Sequence, residues 1–361
     1  MTSKERIISA LAGKHVDHMP FCPFLAYVWE SFPKKIQDAG FLDFHHLIGA
    51  DPLWRGAPCP LRYVFPEEIK TTVFKEDCKT VTVTATPVGT LRIASVKSDS
   101  GNTVFLIEHP LKTEEDYKVQ TWIEENTQII RDPAPMSRHF SGDGREGLSL
   151  GILIPRLKSA YQSLVEYHVG TENLIYAQVD YPDTVNTLWQ TMVAKDIEAV
   201  RMTVESEYEY FITWEDSSTQ NYSPDIYERH IASEIRQWAD ILRINGKRYV
   251  QHACGHVRAL IEPMRESGVM AVESLSTLPT GNLSLAEARA LAGSKLGIIG
   301  GIEPTKFENL TMKGLASYVE QVIIEGQGGP FVLANADSCP PGVTLEKFKL
   351  VSDIARNCRP S

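Results

Sequence analysis

The chain has 361 residues, a formal net charge of −10, 43% hydrophobic residues and 23% charged residues. These are globular proportions, which exclude a disordered or fibrous chain. The acidic balance makes nucleic-acid backbones and anionic membranes poor partners. The strongest apolar stretches, Gly147 to Pro155 and Gly297 to Ile302, are too short to span a bilayer, and no signal-like run follows Met1, so a cytoplasmic address is expected. Cys22, Cys59, Cys78, Cys254, Cys339 and Cys358 are scattered without the spacing of a small disulfide scaffold.

Thr2 and Glu5 form a capping-box pattern ahead of Ile7, Ile8 and Leu11, which predicts a first helix from about Ser3 to Ala12. Pro20 to Ala26 reads as a buried strand. Glu67 to His109 is rich in β-branched residues, punctuated by Gly89 and the Asp99-Ser-Gly-Asn cluster, and predicts an antiparallel meander. From about Thr113 the rhythm changes to strand, then helix. Strands are expected at Leu148 to Pro155, Tyr210 to Trp214, Arg248 to Cys254, Val269 to Leu275, Leu296 to Ile302 and Pro330 to Ala336. Helices are expected at Asp183 to Lys195, Ile197 to Ser206, Ser223 to Asn245, Val257 to Glu266, Ser284 to Ala292, Leu315 to Glu325 and Leu345 to Arg356. Repeated βα units without a long linker predict a parallel sheet, and their number favours a closed (β/α)8 TIM barrel. The expectation is one barrel domain over residues 1–361 with a β-meander insertion at 67–109.

Active-site groups of such barrels sit at the C-terminal ends of strands, so strand ends are where chemistry is sought. His252-Ala-Cys254-Gly-His256 is the clearest of them. Residues two apart in an extended chain share a side, so His252 and Cys254 can face one metal, and imidazole plus thiolate suits zinc. The next strand end offers Glu273, and the last offers Asp337 and Cys339, again two apart. One mouth thus collects a nitrogen, two sulfurs and a carboxylate. His256 reads as a helix-start or surface residue. Glu215 and Asp216, after a strand, are candidates for acid–base work or substrate orientation, or for hydrogen bonding to loop backbone. Phe24, Tyr27, Trp29 and Trp214 are candidates for an aromatic pocket, with Trp54 from the next segment. The sequence contains no GxGxxG before a helix and no GxxxxGK[ST], so nicotinamide and nucleotide readings lack their fingerprints.

The opening Thr2-Ser-Lys-Glu-Arg-Ile-Ile-Ser-Ala-Leu-Ala-Gly-Lys-His-Val-Asp-His-Met-Pro resembles the start of the uroporphyrinogen decarboxylase superfamily. So do His252-Ala-Cys-Gly-His, Gly300-Gly-Ile-Glu-Pro and Cys339-Pro-Pro-Gly, and the resemblance runs almost end to end. It implies a (β/α)8 barrel. True decarboxylases of this superfamily carry an Arg-Gln-Ala-Gly-Arg-Tyr segment to hold the substrate's carboxylates. Here the corresponding Pro23-Phe-Leu-Ala-Tyr-Val-Trp-Glu has no arginine.

The chain is more similar to the zinc methyltransferases that work with corrinoid proteins, whose His-x-Cys matches His252 and Cys254. Anchoring on Pro340-Pro341 puts the family's late thiolate at Asp337, two residues before Cys339. Either Cys339 reaches the metal or Asp337 replaces it. The resemblance implies a zinc ion held by His252, Cys254, Glu273 and Cys339, with Asp337 as the substitute. It also implies methyl transfer from a small methyl ether, most specifically a phenyl methyl ether, to the Co(I) corrinoid of a transient partner protein at the barrel mouth. Tyr27, Trp29 and Trp214 would line the substrate pocket, and Glu215 or Asp216 would bind a ring hydroxyl. The alternatives are transfer from methylcobamide to a thiol or pterin, a metal-free decarboxylase, and a barrel that only carries a corrinoid or tetrapyrrole. Homodimerisation is compatible with each.

Overall fold

The structure is a computed structural model that describes residues 1–98 and 103–358. It has two compact units. The first comprises Met1–Pro60, Pro133–Leu153 and the chain from Val204; the second comprises Leu61–Asp132 and Ile154–Thr203. In chain order the strands are β1 (Leu53–Ala57), β2 (Leu61–Val64), β3 (Lys70–Glu76), β4 (Lys79–Thr86), β5 (Gly89–Lys97), β6 (Val104–Glu108), β7 (Gln128–Arg131), β8 (Leu148–Ile152), β9 (Tyr210–Thr213), β10 (Arg248–His252), β11 (Ala271–Leu275), β12 (Gly297–Ile302) and β13 (Phe331–Asn335).

In the first unit β1, β8, β9, β10, β11, β12 and β13 lie side by side in that order, all parallel. The strand expected over Pro20 to Ala26 is corrected to a single parallel bridge between Phe21 and Leu333. Pro20 and Pro23 have no N–H to donate, so a longer ladder is not available to this segment. Its remaining groups still join both edges of the curled sheet. The Phe21 carbonyl accepts from the Asp51 N–H ahead of β1, and the Cys22 N–H donates to Leu333 of β13, each at 2.8 Å. The fold is therefore of the (β/α)8 barrel class.

Leu150, Ile212, Val250, Ala271, Ile299 and Val332 form the barrel's apolar filling. The helix Ser3–Leu11, capped by Thr2 and Glu5 as expected, adds Ile7 and Leu11 to that cluster. Its buried Arg6 pairs with Asp17 and with Asp51, and its Lys4 pairs with Glu209. Asp51 and Glu209 precede β1 and β9, so this helix covers the N-terminal end of the barrel. The C-terminal strand ends carry the chemistry-bearing loops. The helix expected from Val257 begins only at Ile261. Val257 and Leu260 are buried but lie in the loop before it, so apolar spacing alone overextended it.

In the second unit β3, β4, β5 and β6 form the expected antiparallel meander, spanning Lys70–Glu108. The Asp99-Ser-Gly-Asn cluster lies outside the described residues. β2 and β7 form a separate antiparallel pair. The two helices expected between Asp183 and Ser206 are one, Pro182–Thr203. The charged residue that reads as an interruption, Asp196, is fully buried and accepts from Arg156 Nε at 2.9 Å. Arg156 also grips both oxygens of Glu124 at 2.9 Å. Burial alone would raise the Glu124 pKa, but the Arg156 charge and hydrogen bonds hold it down at about 2. Among the described residues, no helix is long and apolar enough to cross a membrane.

Candidate metal site and its surroundings

β10 ends at His252, and the chain turns at Gly255, φ +75°, so His252 and Cys254 stay on one side of the strand end as their spacing predicts. β9 ends at Thr213, and the loop after it brings Asp216 to the same place. Asp216 has a left-handed backbone, φ 47°, a conformation that aspartate tolerates better than most residues. His252 Nε2 lies 3.3 Å from Asp216 Oδ1, and the Cys254 thiol faces the same oxygen at 3.9 Å. Ligand atoms of the three residues all fall within 4.8 Å of one another, and among the described residues this is the group whose donors converge so. One imidazole, one thiol and one carboxylate suit zinc, and three protein donors leave a coordination position for substrate. Metal binding would require the thiol to give up its proton, which burial resists by raising the Cys254 pKa while His252 opposes the rise.

Behind the imidazole stands Glu273 on β11. The sequence places it among the ligands; the structure corrects this, because both its oxygens are engaged elsewhere. Oε2 accepts from His252 Nδ1 at 2.6 Å and Oε1 from Arg55 Nε at 2.6 Å. Burial works against the charge of Glu273, but Arg55 and His252 outweigh it and lower the pKa. An ionised carboxylate only accepts hydrogen bonds, so Nδ1 is the protonated nitrogen and Nε2 faces the trio. Burial likewise works against a charged His252, and the Glu273 charge with the Asp216 hydrogen bond holds its pKa well above the ordinary value.

Cys339 as a metal ligand is corrected as well. It is fully buried, its N–H donates to the Phe24 carbonyl, and the charges its thiol feels are those of Glu308 and Lys347. The two-residue alternation behind that expectation fails because Asp337 is left-handed, φ 58°, and turns the chain. Asp337 itself stays on the site side. It feels the charges of His252, Glu273 and Asp216, and burial raises its pKa. The Ser338 N–H donates to its Oδ1 at 2.6 Å.

The aromatic residues divide. Phe24 stacks on Trp214 with ring centres 5.9 Å apart, and Trp214 meets His252 edge-on at 5.1 Å. Asn335 fixes Phe24 by donating to its carbonyl and accepting from its N–H. Tyr27 is 54% exposed and its N–H donates to Ser338 Oγ at 2.8 Å, which ties its backbone to the loop after β13. Trp29 is corrected from pocket to packing, since it stacks on Phe41 at 4.0 Å beside Phe32 and Phe44. Trp54 also lies elsewhere, donating to the Glu146 carbonyl between His45 and His139. Glu215, expected as a catalytic partner of Asp216, is fully buried and accepts from Thr213, which bonds Tyr249 in turn. The pair is split because Glu215 turns into the interior while the left-handed turn at Asp216 carries its neighbour to His252. His256 sits in the turn after Cys254, its N–H donating to Ser218.

Arg55 is the residue that the sequence reading missed. Its signal is an arginine inside the short apolar run Leu53–Ala57. The β1 register shifts between Arg55 and Ala57, and Gly56 there has φ +71°. Such a bulge re-aims a neighbouring side chain. A Cβ at Gly56 would lie 2.8 Å from Trp214 Cζ2. Gly56→Ala is therefore expected to destabilise the protein by roughly 2–3 kcal/mol, from overpacking and a strained φ. It should also displace Trp214. Thermal unfolding and tryptophan emission check this, and an unchanged melt with unchanged emission would contradict it.

Residues 160–358 match the family described as uroporphyrinogen decarboxylase (URO-D). The match covers more than half of the chain, and the protein belongs to this family. Among solved structures, a methyltransferase from Methanosarcina mazei is similar over 98% of both chains, with 14% identity and a TM-score of 0.64. At that identity the likeness speaks to the fold alone. A B12-independent methionine synthase from Shewanella sp. W3-18-1, in complex with selenomethionine, is 9% identical over 94% of this chain and 97% of its own, with a TM-score of 0.44. That likeness is too distant to bear on this chain. No curated protein matches closely enough to be counted a relative.

Proposed function

We propose that this protein is a zinc-dependent methyltransferase that moves a methyl group from a small methyl ether, most specifically a phenyl methyl ether, to the Co(I) corrinoid of a partner protein. The observation that carries the reading is the convergence of His252, Cys254 and Asp216 at the barrel's C-terminal end. The similar fold of a methyltransferase supports it. These three residues would hold the metal, which when bound supplies Lewis acidity to the ether oxygen and stabilises the charge that develops as it leaves. Phe24 and Trp214, stacked on each other beside His252, form an aromatic wall that would line the pocket for an aryl ring. Asp337, on the site side of the β13 loop, would take a hydrogen bond from a ring hydroxyl and orient the substrate. The loops after Ala26, Trp214 and Asp337 would form the docking surface for such a partner at the barrel mouth.

The test is purified zinc-loaded protein with Co(I) corrinoid protein and a panel of methoxyarenes, followed at the methylcobamide absorption band. Methylcobamide formation that needs zinc and one of the ethers is expected. Turnover of a carboxylated substrate without corrinoid would replace this reading with decarboxylation, and corrinoid binding without methyl transfer would replace it with a carrier role.

A further inference from the structure

Arg55 meets Glu273, the Cys22–Pro23 backbone and the Phe24 ring around the His252, Cys254 and Asp216 group without offering a donor atom to it. β1 and β11 are separated in the sheet by β8, β9 and β10, so the Arg55 side chain crosses the barrel interior to reach Glu273. Both side chains are sealed from solvent, at 2% and 0% exposure. Nη2 donates to the Cys22 carbonyl at 2.9 Å and Nη1 to that of Pro23 at 3.4 Å. The guanidinium also lies 5.2 Å from the centre of the Phe24 ring, which stacks on Trp214. One side chain thus ties the single-bridge segment, the aromatic wall and the carboxylate behind His252. A buried ion pair is a poor device for stability, because desolvating two charges offsets their attraction. Its value lies in fixing geometry.

Resting on the metal-dependent reading above, we infer that Arg55 is a positioning residue for the metal site. By binding Oε1 of Glu273 it directs Oε2 to His252 Nδ1 and keeps Glu273 itself out of the coordination shell. The His252 ring is then held in the tautomer and orientation that turn Nε2 toward Asp216 and Cys254. Partners behind a metal-bound histidine of this kind typically contribute 10–100-fold to metal affinity. Without the arginine, Glu273 is free to swing toward the metal, and the donor set changes from one carboxylate to two.

The experiment compares wild type, Arg55→Met, Arg55→Lys and Glu273→Gln. It reads zinc affinity by chelator competition, the visible spectrum of the Co2+-substituted protein, and thermal unfolding. Arg55→Met is expected to weaken zinc binding roughly 10–100-fold and to alter the Co2+ ligand-field bands. Glu273→Gln should weaken binding comparably. Arg55→Lys, which keeps the charge but not the fork, should recover part of the affinity and a spectrum closer to wild type. Should Arg55→Met fail to fold, the lysine and glutamine variants carry the comparison. Wild-type affinity and spectrum in the folded variants would overturn the inference and leave the proposed function standing. A loss of affinity that merely follows a lowered melting temperature, with no spectral change and no lysine rescue, would also overturn it. If wild type itself bound neither zinc nor cobalt, the inference and the metal reading would fall together.

Discussion

Cys254→Ser and Asp216→Asn are each expected to remove stoichiometric zinc and to lower methyl transfer by roughly 10³-fold, since a Lewis-acid metal supplies several kcal/mol at ~1.4 kcal/mol per decade. Cys339→Ala should leave both properties unchanged. The substitutions are chosen to spare the fold. Asparagine tolerates the left-handed backbone that Asp216 adopts, φ 47°, and keeps its shape while losing the negative charge. Serine replaces a thiol that lies in a loop rather than in the packed interior. The contrast with Cys339 follows from geometry. That residue is buried and senses Glu308 and Lys347, whereas Cys254 faces Asp216. Metal analysis of the four purified proteins decides the matter. Zinc lost from Cys339→Ala but retained by Asp216→Asn would show that the third donor is a sulfur after all.

Arg156→Met is expected to cost the second unit about 3–5 kcal/mol at neutral pH, because two buried carboxylates lose their shared counter-charge. For a unit of this size that corresponds to a fall in melting temperature of roughly 12–20 °C. The pH dependence gives a second reading. The folded Glu124 pKa, about 2, is depressed below its ordinary 4.5. The stability this pair contributes is therefore fully present above about 4.5 and is lost as pH falls toward 2. Without Arg156, burial dominates and the folded pKa rises above the unfolded one, so protonation favours the folded variant. Wild type and variant should differ most near pH 7 and converge below pH 4. Buried His168, held to a pKa of about 4 chiefly by desolvation, also costs stability as pH falls from about 6.5 to 4, and because it feels the charges of Arg156 and Glu124 its share changes in the variant, so the comparison at pH 7, above that window, is the diagnostic. Equal melting temperatures at pH 7 would contradict the assignment.

The barrel class was legible because its strands are continuous apolar runs punctuated by helices with clear caps. The capping boxes at Thr2 and Ser284 and the proline after Ser223 all begin helices where their chemistry says they should. The weakest elements were not legible. β1 contains an arginine and a bulged glycine, and the Phe21 segment is flanked by prolines, so neither shows an uninterrupted apolar pattern. In the site, His252 and Cys254 could be paired from spacing because Cys254 follows two residues after His252, the last residue of β10, before the chain turns at Gly255. Asp216 was missed as a candidate donor and Cys339 was wrongly included for one reason. Alternation is a rule for extended backbone, and the left-handed residues at 216 and 337 lie where that rule lapses. Arg55 acts across the barrel at a separation of 218 residues from Glu273, which no local pattern reveals.

The division of the second unit between two chain segments also orders events during synthesis. The helix Glu114–Asn126 buries Tyr117, Val119 and Ile123, and its main helical neighbour is Pro182–Thr203. That neighbour leaves the ribosome roughly 80 residues later, which at about 5–20 residues per second is a delay of about 4–15 s. For that interval the nascent chain carries the meander and a helix packed on it that still lacks its main helical neighbour, with β8 of the barrel emerging in between. Co-translational chaperones would meet this protein at that stage, and slowing translation within residues 127–181 would lengthen the exposure.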